Sequence, residues 1–199
     1  MQKRNTMAEA SNKQQKLKIK NLLAELMSGN EVKASASIKA LQANGDSSIL
    51  EPMAALLMTD LSPKIREEIV EFLCSLKDSS AVDEMMRLVN DSDYLPIRQQ
   101  LLTTIWNSKL DYTYFLPDFV EIAVDGDFME ALDCLTIIEN MAGPIEERHV
   151  LEAKLHLREY LEDTDPKDPQ KSQIMSEIAM IIKDFDSMDE DDDIDFFNE

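Results

Sequence analysis

The stretch DLSPKIREEIVEFL, residues 60–73, is followed by NDSDYLPIRQQLLTTIW at 90–106. Both carry acids, a proline, an Ile-Arg pair and apolar residues at helical spacing. Aligned, Ile65, Arg66, Ile69 and Leu73 fall on Ile97, Arg98, Leu101 and Ile105. The same register extends back to Val32, Lys33, Ala36 and Ala40, and forward to Phe128, Met129, Leu132 and Thr136. The lead apolar residues Val32, Ile65, Ile97 and Phe128 are thus 33, 32 and 31 residues apart. A period in this range marks stacked helical pairs, because one pair cannot bury its apolar face alone.

Each unit contains a second helix. Leu50, Met53, Leu56 and Leu57 recur as Val82, Met85, Leu88 and Val89, then as Leu116, Phe119, Ile122 and Ala123. That spacing makes one buried stripe per helix. Asp46 and Asp78, each followed by Ser-Ser, offer oxygens to the free N–H groups of a helix start. Pro52 and Pro117 fall near first turns, where a missing N–H costs least.

The acid-x-x-Pro-x-Ile-Arg opening at Asp60–Arg66, legible again at Asp91–Arg98, and the Asp-Ser-Ser start of the second helix resemble the HEAT-repeat family. The likeness covers about residues 30–160. It implies an all-α, right-handed α-solenoid of about four helix pairs, whose second helices line one concave surface. The expected repeats are 30–61, 62–93, 94–126 and 127–163, with capping helices at 8–27 and 169–184 in a domain of 8–184. Residues 1–7 and the acidic tail 185–199 are expected to be disordered. Such repeats mostly serve as scaffolds and adaptors.

Composition narrows the function. Four glycines in 199 residues are too few for a fold of hairpins or phosphate-cradling loops. The formal charge of −20 is uneven: residues 1–27 carry a net +4, while 184–199 hold nine acids and no base. Such a surface repels nucleic acid and anionic membranes and attracts basic partners. No window has the length and apolarity of a membrane span, and the N-terminus lacks the apolar run of a signal peptide. Cys74 and Cys134 lie among apolar residues, as free thiols of a reducing compartment do. A cytoplasmic protein is expected.

Candidate chemistry is sparse. His149 and His156 are about 10 Å apart along a helix at 1.5 Å per residue, too far to share one metal ion. There is no G-x-S-x-G, phosphate loop or dinucleotide fingerprint. A calcium loop starting at Asp189 would put Ile194 where glycine is needed. No catalytic residue, metal site or cofactor is therefore expected. The expected partner is a protein with a basic surface, contacted through Asp83, Arg87, Asp118 and Glu121 on second helices, and through Phe196 and Phe197 in the tail. Two rival readings are an enzyme-accessory protein of the lyase-like kind and an acidic decoy that occupies a basic protein.

Overall fold

The computed structural model describes residues 2–44, 47–163 and 166–192, with side chains over 13–43, 47–163 and 166–185. Among these residues there are ten α-helices and no strand. In order they are α1 (Gln2–Leu26), α2 (Glu31–Asn44), α3 (Leu50–Leu57), α4 (Pro63–Cys74), α5 (Ser80–Asn90), α6 (Arg98–Ser108), α7 (Leu116–Asp125), α8 (Phe128–Glu139), α9 (Glu147–Glu162) and α10 (Pro169–Asp192). Short 3-10 turns at Ser47–Ile49, Ser92–Ile97 and Thr113–Phe115 lead into α3, α6 and α7. The fold is all-α and of the α-solenoid class. The helix drawn at 8–27 starts earlier, at Gln2, and the one drawn at 169–184 runs on to Asp192. Asp46, Ile194, Phe196 and Phe197 lie outside the described residues.

The chain divides into two compact units, residues 1–97 and 98–199. In the first, α1 packs on α2, α2 on α4, and α3 on α4 and α5. In the second, α6 packs on α8, α7 on α8 and α9, and α10 on α8 and α9.

The expected second-helix stripes are the cores of both units. Leu50, Met53, Leu56, Leu57, Val82, Met85, Leu88, Val89, Leu116, Phe119, Ile122 and Ala123 are all buried. Each contributes on the order of 1.5–3 kcal/mol of transfer free energy when large. Ile65, Ile69, Leu73, Ile97, Leu101, Leu102 and Ile105 are buried as well.

The first and fourth repeats correct the expected register. Val32 is 78% exposed, and the face of α2 that packs is Ala34, Ile38 and Leu41. Two residues turn a helix by about 200°, so a reading that leads with Val32 points the wrong face inward. In α8, Leu132 is 37% exposed and Met129 is 44% exposed, while Ala131, Cys134, Leu135 and Ile138 are buried. The position corresponding to Ile65 and Ile97 is therefore Glu130, not Phe128. An acid occupies an apolar lead position.

Glu130 is held there by three contacts. Arg98 donates from Nε and an Nη to its two carboxylate oxygens at 2.7 and 2.8 Å. Asp127 caps α8 by accepting from Glu130 N–H at 2.9 Å, and Glu130 accepts from Asp127 N–H at 3.1 Å. This reciprocal box satisfies two N–H groups that the helix start leaves unpaired. Gly126 leaves room for it, since a Cβ there would lie 2.4 Å from Glu130 Oε2. Arg66, the counterpart of Arg98, and Asp91, in the acid position of the repeat opening, are engaged elsewhere. Arg66 donates to the carbonyls of Leu57 and Thr59 at 2.8 and 3.2 Å, and Asp91 lies 3.6 Å from Arg87. Asp78 accepts from Ser80 N–H at 2.9 Å at the start of α5.

Candidate functional site

The second helices α5 and α7 present charged side chains on their exposed faces. On α5, Asp83 and Arg87 are four residues apart and so share a face. Both are exposed. Arg87 donates to both carboxylate oxygens of Glu84 at 3.1 and 2.9 Å. It also lies 3.4 Å from Glu51 of α3 and 3.6 Å from Asp91. The hydrogen bond to Glu84 raises the guanidinium above its ordinary pKa, so it stays charged throughout. One cation thus gathers three carboxylates from two helices and a turn, with Asp83 beside them. The patch keeps a surplus of negative charge.

In the second unit, Asp118 is half-buried and Glu121 exposed on α7. The neighbouring α9 buries Val150, Ala153, Leu157 and Tyr160. It also presents Leu151 and Leu155, 51% and 55% exposed, with exposed Arg148 and Arg158 three residues to either side. Arg148 pairs with Glu146 at 2.8 Å and Arg158 with Glu162 at 3.2 Å. Tyr114 stands at the start of this stripe, its ring 5.5 Å from the Arg148 guanidinium and 4.6 Å from the His149 ring.

The two histidines occupy different settings. His149 is buried against Tyr114, whereas His156 Nδ1 lies 3.9 Å from Glu159. Among the described residues no group of three or more His, Cys, Asp and Glu side chains converges as a metal site would. Cys134 is fully buried, and desolvation pushes its thiol pKa well up. Cys74 is half-buried and its thiol is also raised by burial. Neither is poised as a thiolate nucleophile.

The structure places Asp83 and Arg87 on α5 and Asp118 and Glu121 on α7, and the acids it brings to Arg87 are Glu51, Glu84 and Asp91. Reading the sequence missed Leu151 and Leu155. Their signal was a second leucine stripe, out of phase with the stripe that α9 buries. Glu51 had no local signal, because it reaches Arg87 only through the packing of α3 on α5.

Residues 19–105 match the family model for HEAT repeats. No curated protein and no solved structure matches the chain. HEAT repeats are generally protein-interaction modules. No helix among the described residues is long and apolar enough to cross a membrane.

Proposed function

We propose that this chain, which matches HEAT repeats over residues 19–105, is a non-enzymatic adaptor that binds a protein with a basic surface. The observation that carries this reading is the outer face of α3 and α5, where Glu51, Glu84 and Asp91 surround Arg87. A carboxylate surplus held in fixed positions speeds encounter with a basic surface and fixes its orientation. In this reading Arg87 organises its own acids, and Asp83, Asp118 and Glu121 meet the partner. Leu151 and Leu155 supply the apolar burial that charge alone does not. Phe196 and Phe197 would add to it from the C-terminal segment. A cytoplasmic location suits two unpaired cysteines.

The test is quantitative affinity capture by the full chain, with two double variants, Asp83→Asn/Glu84→Gln and Asp118→Asn/Glu121→Gln. Partners retained by the natural chain should fall about tenfold on either variant, while melting temperature stays within a few degrees. An unchanged set of retained proteins would sink the reading. The net charge of −20 favours one rival, an acidic decoy. A decoy complex would dissolve in about 0.5 M salt, where the Debye length falls to a few ångströms, and a complex packed on Leu151 and Leu155 would persist.

A further inference from the structure

The first unit holds a groove of about 420 Å³ between the α1–α2 turn and the α3–α4 loop. That volume lies in the ~300–1,000 Å³ range of sites that enclose small ligands or single side-chain clusters. Its floor is apolar: Leu26, Ala34, Leu56 and Ile65 are all at most 6% exposed. Its rim is acidic, with Glu31 and Asp60 both exposed.

The nearby cations are committed elsewhere or set apart. Arg66 donates to the Leu57 and Thr59 carbonyls, and Lys64 lies 3.9 Å from Glu68. Lys33 is not among the residues that line the groove. The shape is fixed by backbone: Gly29 takes φ +73°, and Asn30 accepts from Lys33 N–H at 3.1 Å to start α2. Ser62 Oγ, on the groove wall, is shielded from solvent and makes no hydrogen bond.

Exposed apolar side chains gather at the same edge. Met27 lines the groove at 69% exposure, and Met58, 43% exposed, directly precedes the lining residue Thr59. Apolar groups concentrated around a concave site mark contact with another molecule.

We propose that this groove binds a segment of the partner protein that presents an apolar side chain next to a lysine or arginine. The apolar floor takes the side chain, and Glu31 and Asp60 take the cation. The same carboxylates disfavour a nucleic acid, and a second copy of this chain would bring another −20 of charge against them. The inference rests on the adaptor reading and adds a sequence preference to it.

The experiment uses the full chain with carbon-13 methyl-labelled methionine, the Met27 signal being assigned through Met27→Leu. The probe is an acetylated hexapeptide of alternating leucine and lysine. The controls replace leucine by serine or lysine by glutamate. The leucine–lysine peptide should shift the Met27 signal, and both controls should leave it unmoved. Glu31→Gln/Asp60→Asn should weaken that binding about tenfold, and Leu61→Ser, at a half-buried leucine that also lines the groove, by a similar factor, without a comparable loss of melting temperature. The proposal is overturned if the serine–lysine peptide binds as tightly, or if the charge variant binds unchanged. It is also overturned if the chain self-associates with concentration and Leu61→Ser abolishes that, because the occupant is then a second copy. Partner capture separates the two readings. Loss on the α5 and α7 variants with retention on the groove variants rejects the groove and keeps the adaptor. Retention on all of them rejects the adaptor itself.

Discussion

Arg66 and Arg98 stand at the same position of successive repeats, one in each compact unit, and their guanidinium groups have different tasks. Arg66 reaches back to the Leu57 and Thr59 carbonyls, seven to nine residues away, and ties off the end of α3. Arg98 reaches forward 32 residues to Glu130 in the following repeat. The motif places an arginine at that point of the helix; the neighbouring repeat decides what it binds. The positions equivalent to Glu130 are Ala34, Ile65 and Ile97, all apolar and buried. Only the fourth repeat presents a carboxylate there, and it lies beyond residue 105, where the match to HEAT repeats ends. The first unit is held by repeated apolar stripes. The second replaces one apolar contact with an ion pair, a capping box and a glycine.

The largest expected effects test whether the two units are separate. Ile69 and Phe119 are both fully buried, one in each unit. Ile69→Ala should cost about 2–5 kcal/mol and Phe119→Ala about 3–5 kcal/mol, from lost burial plus a cavity. Each unit also carries one cysteine, so alkylation reads them independently. Ile69→Ala should speed labelling of Cys74 well before that of Cys134, and Phe119→Ala should do the reverse. Equal acceleration of both thiols in either variant would show a single cooperative unit and break the comparison.

Next comes the arginine pair itself. The Arg98 and Glu130 side chains are only 16% and 12% exposed. Removing one partner of a buried pair costs roughly 3–5 kcal/mol, and the remaining exposure brings Arg98→Ala to about 2–3 kcal/mol. Arg66→Ala loses hydrogen bonds to two carbonyls and should cost about 1 kcal/mol. Replacing both members, Arg98→Met with Glu130→Leu, should restore most of the loss, since an apolar pair suits the repeat. Thermal or urea melting measures all three. Equal losses for the two single variants would mean that the forward contact adds nothing.

These residues also show what was legible in the sequence. The stripes of α3, α5 and α7 could be read directly, because each helix buries a full face and helical period is a local property. The leads of the first and fourth repeats could not. Val32 and Phe128 match the motif by residue type, yet the packing face is set two residues later by the cap at Asn30 and the box at Asp127. Glu130 escaped notice because an acid at an apolar position makes sense only once Arg98 is beside it. On the candidate site, the shared face of Asp83 and Arg87 follows from a spacing of four. The approach of Glu51 and the groove over Leu26, Ala34, Leu56 and Ile65 assemble from separate helices, which no local pattern encodes.

Two glycines separate space from conformation. Gly126, in the second unit, has φ −74°, which any residue can adopt, but a Cβ would lie 2.4 Å from Glu130 Oε2 and 2.7 Å from the Ile122 carbonyl. Gly126→Ala should cost about 1–3 kcal/mol by overpacking. Gly29, in the first unit, has open space around it and φ +73°. Gly29→Ala should cost about 1 kcal/mol from the left-handed backbone alone. Combining Gly126→Ala with Glu130→Ala should cost less than the sum of the two, because the carboxylate at 2.4 Å is gone while the Ile122 carbonyl at 2.7 Å remains. Full additivity would place the strain at Ile122 and detach Gly126 from the ion pair.

The smallest expected effect compares two aspartates that shift in opposite directions. Asp78, in the first unit, is lowered by its hydrogen bond from Ser80 N–H. Asp133, in the second, is raised by burial, against the opposing hydrogen bonds from Thr103, Trp106 and Gln99. A lowered carboxyl adds stability above its unfolded pKa, and that contribution fades as pH falls through the folded value. A raised carboxyl does the opposite: its contribution is complete below the unfolded pKa and is lost as pH rises through the folded value. Once ionised, Asp133 therefore carries a desolvation cost that its hydrogen bonds offset only in part. Asp133→Asn keeps an acceptor for Thr103 and Trp106 and removes the charge, so it should raise melting slightly, by less than about 1 kcal/mol given partial exposure. Asp78→Ala should lower it slightly. As pH falls below the ordinary carboxylate range of about 4, both differences should shrink, that of Asp78 last because its pKa is lowered. A drop in stability for Asp133→Asn at pH 7 would mean that the charge strengthens its three hydrogen bonds by more than burial costs, and Asp133 would then belong with Glu130 among the acids that the second unit has built in.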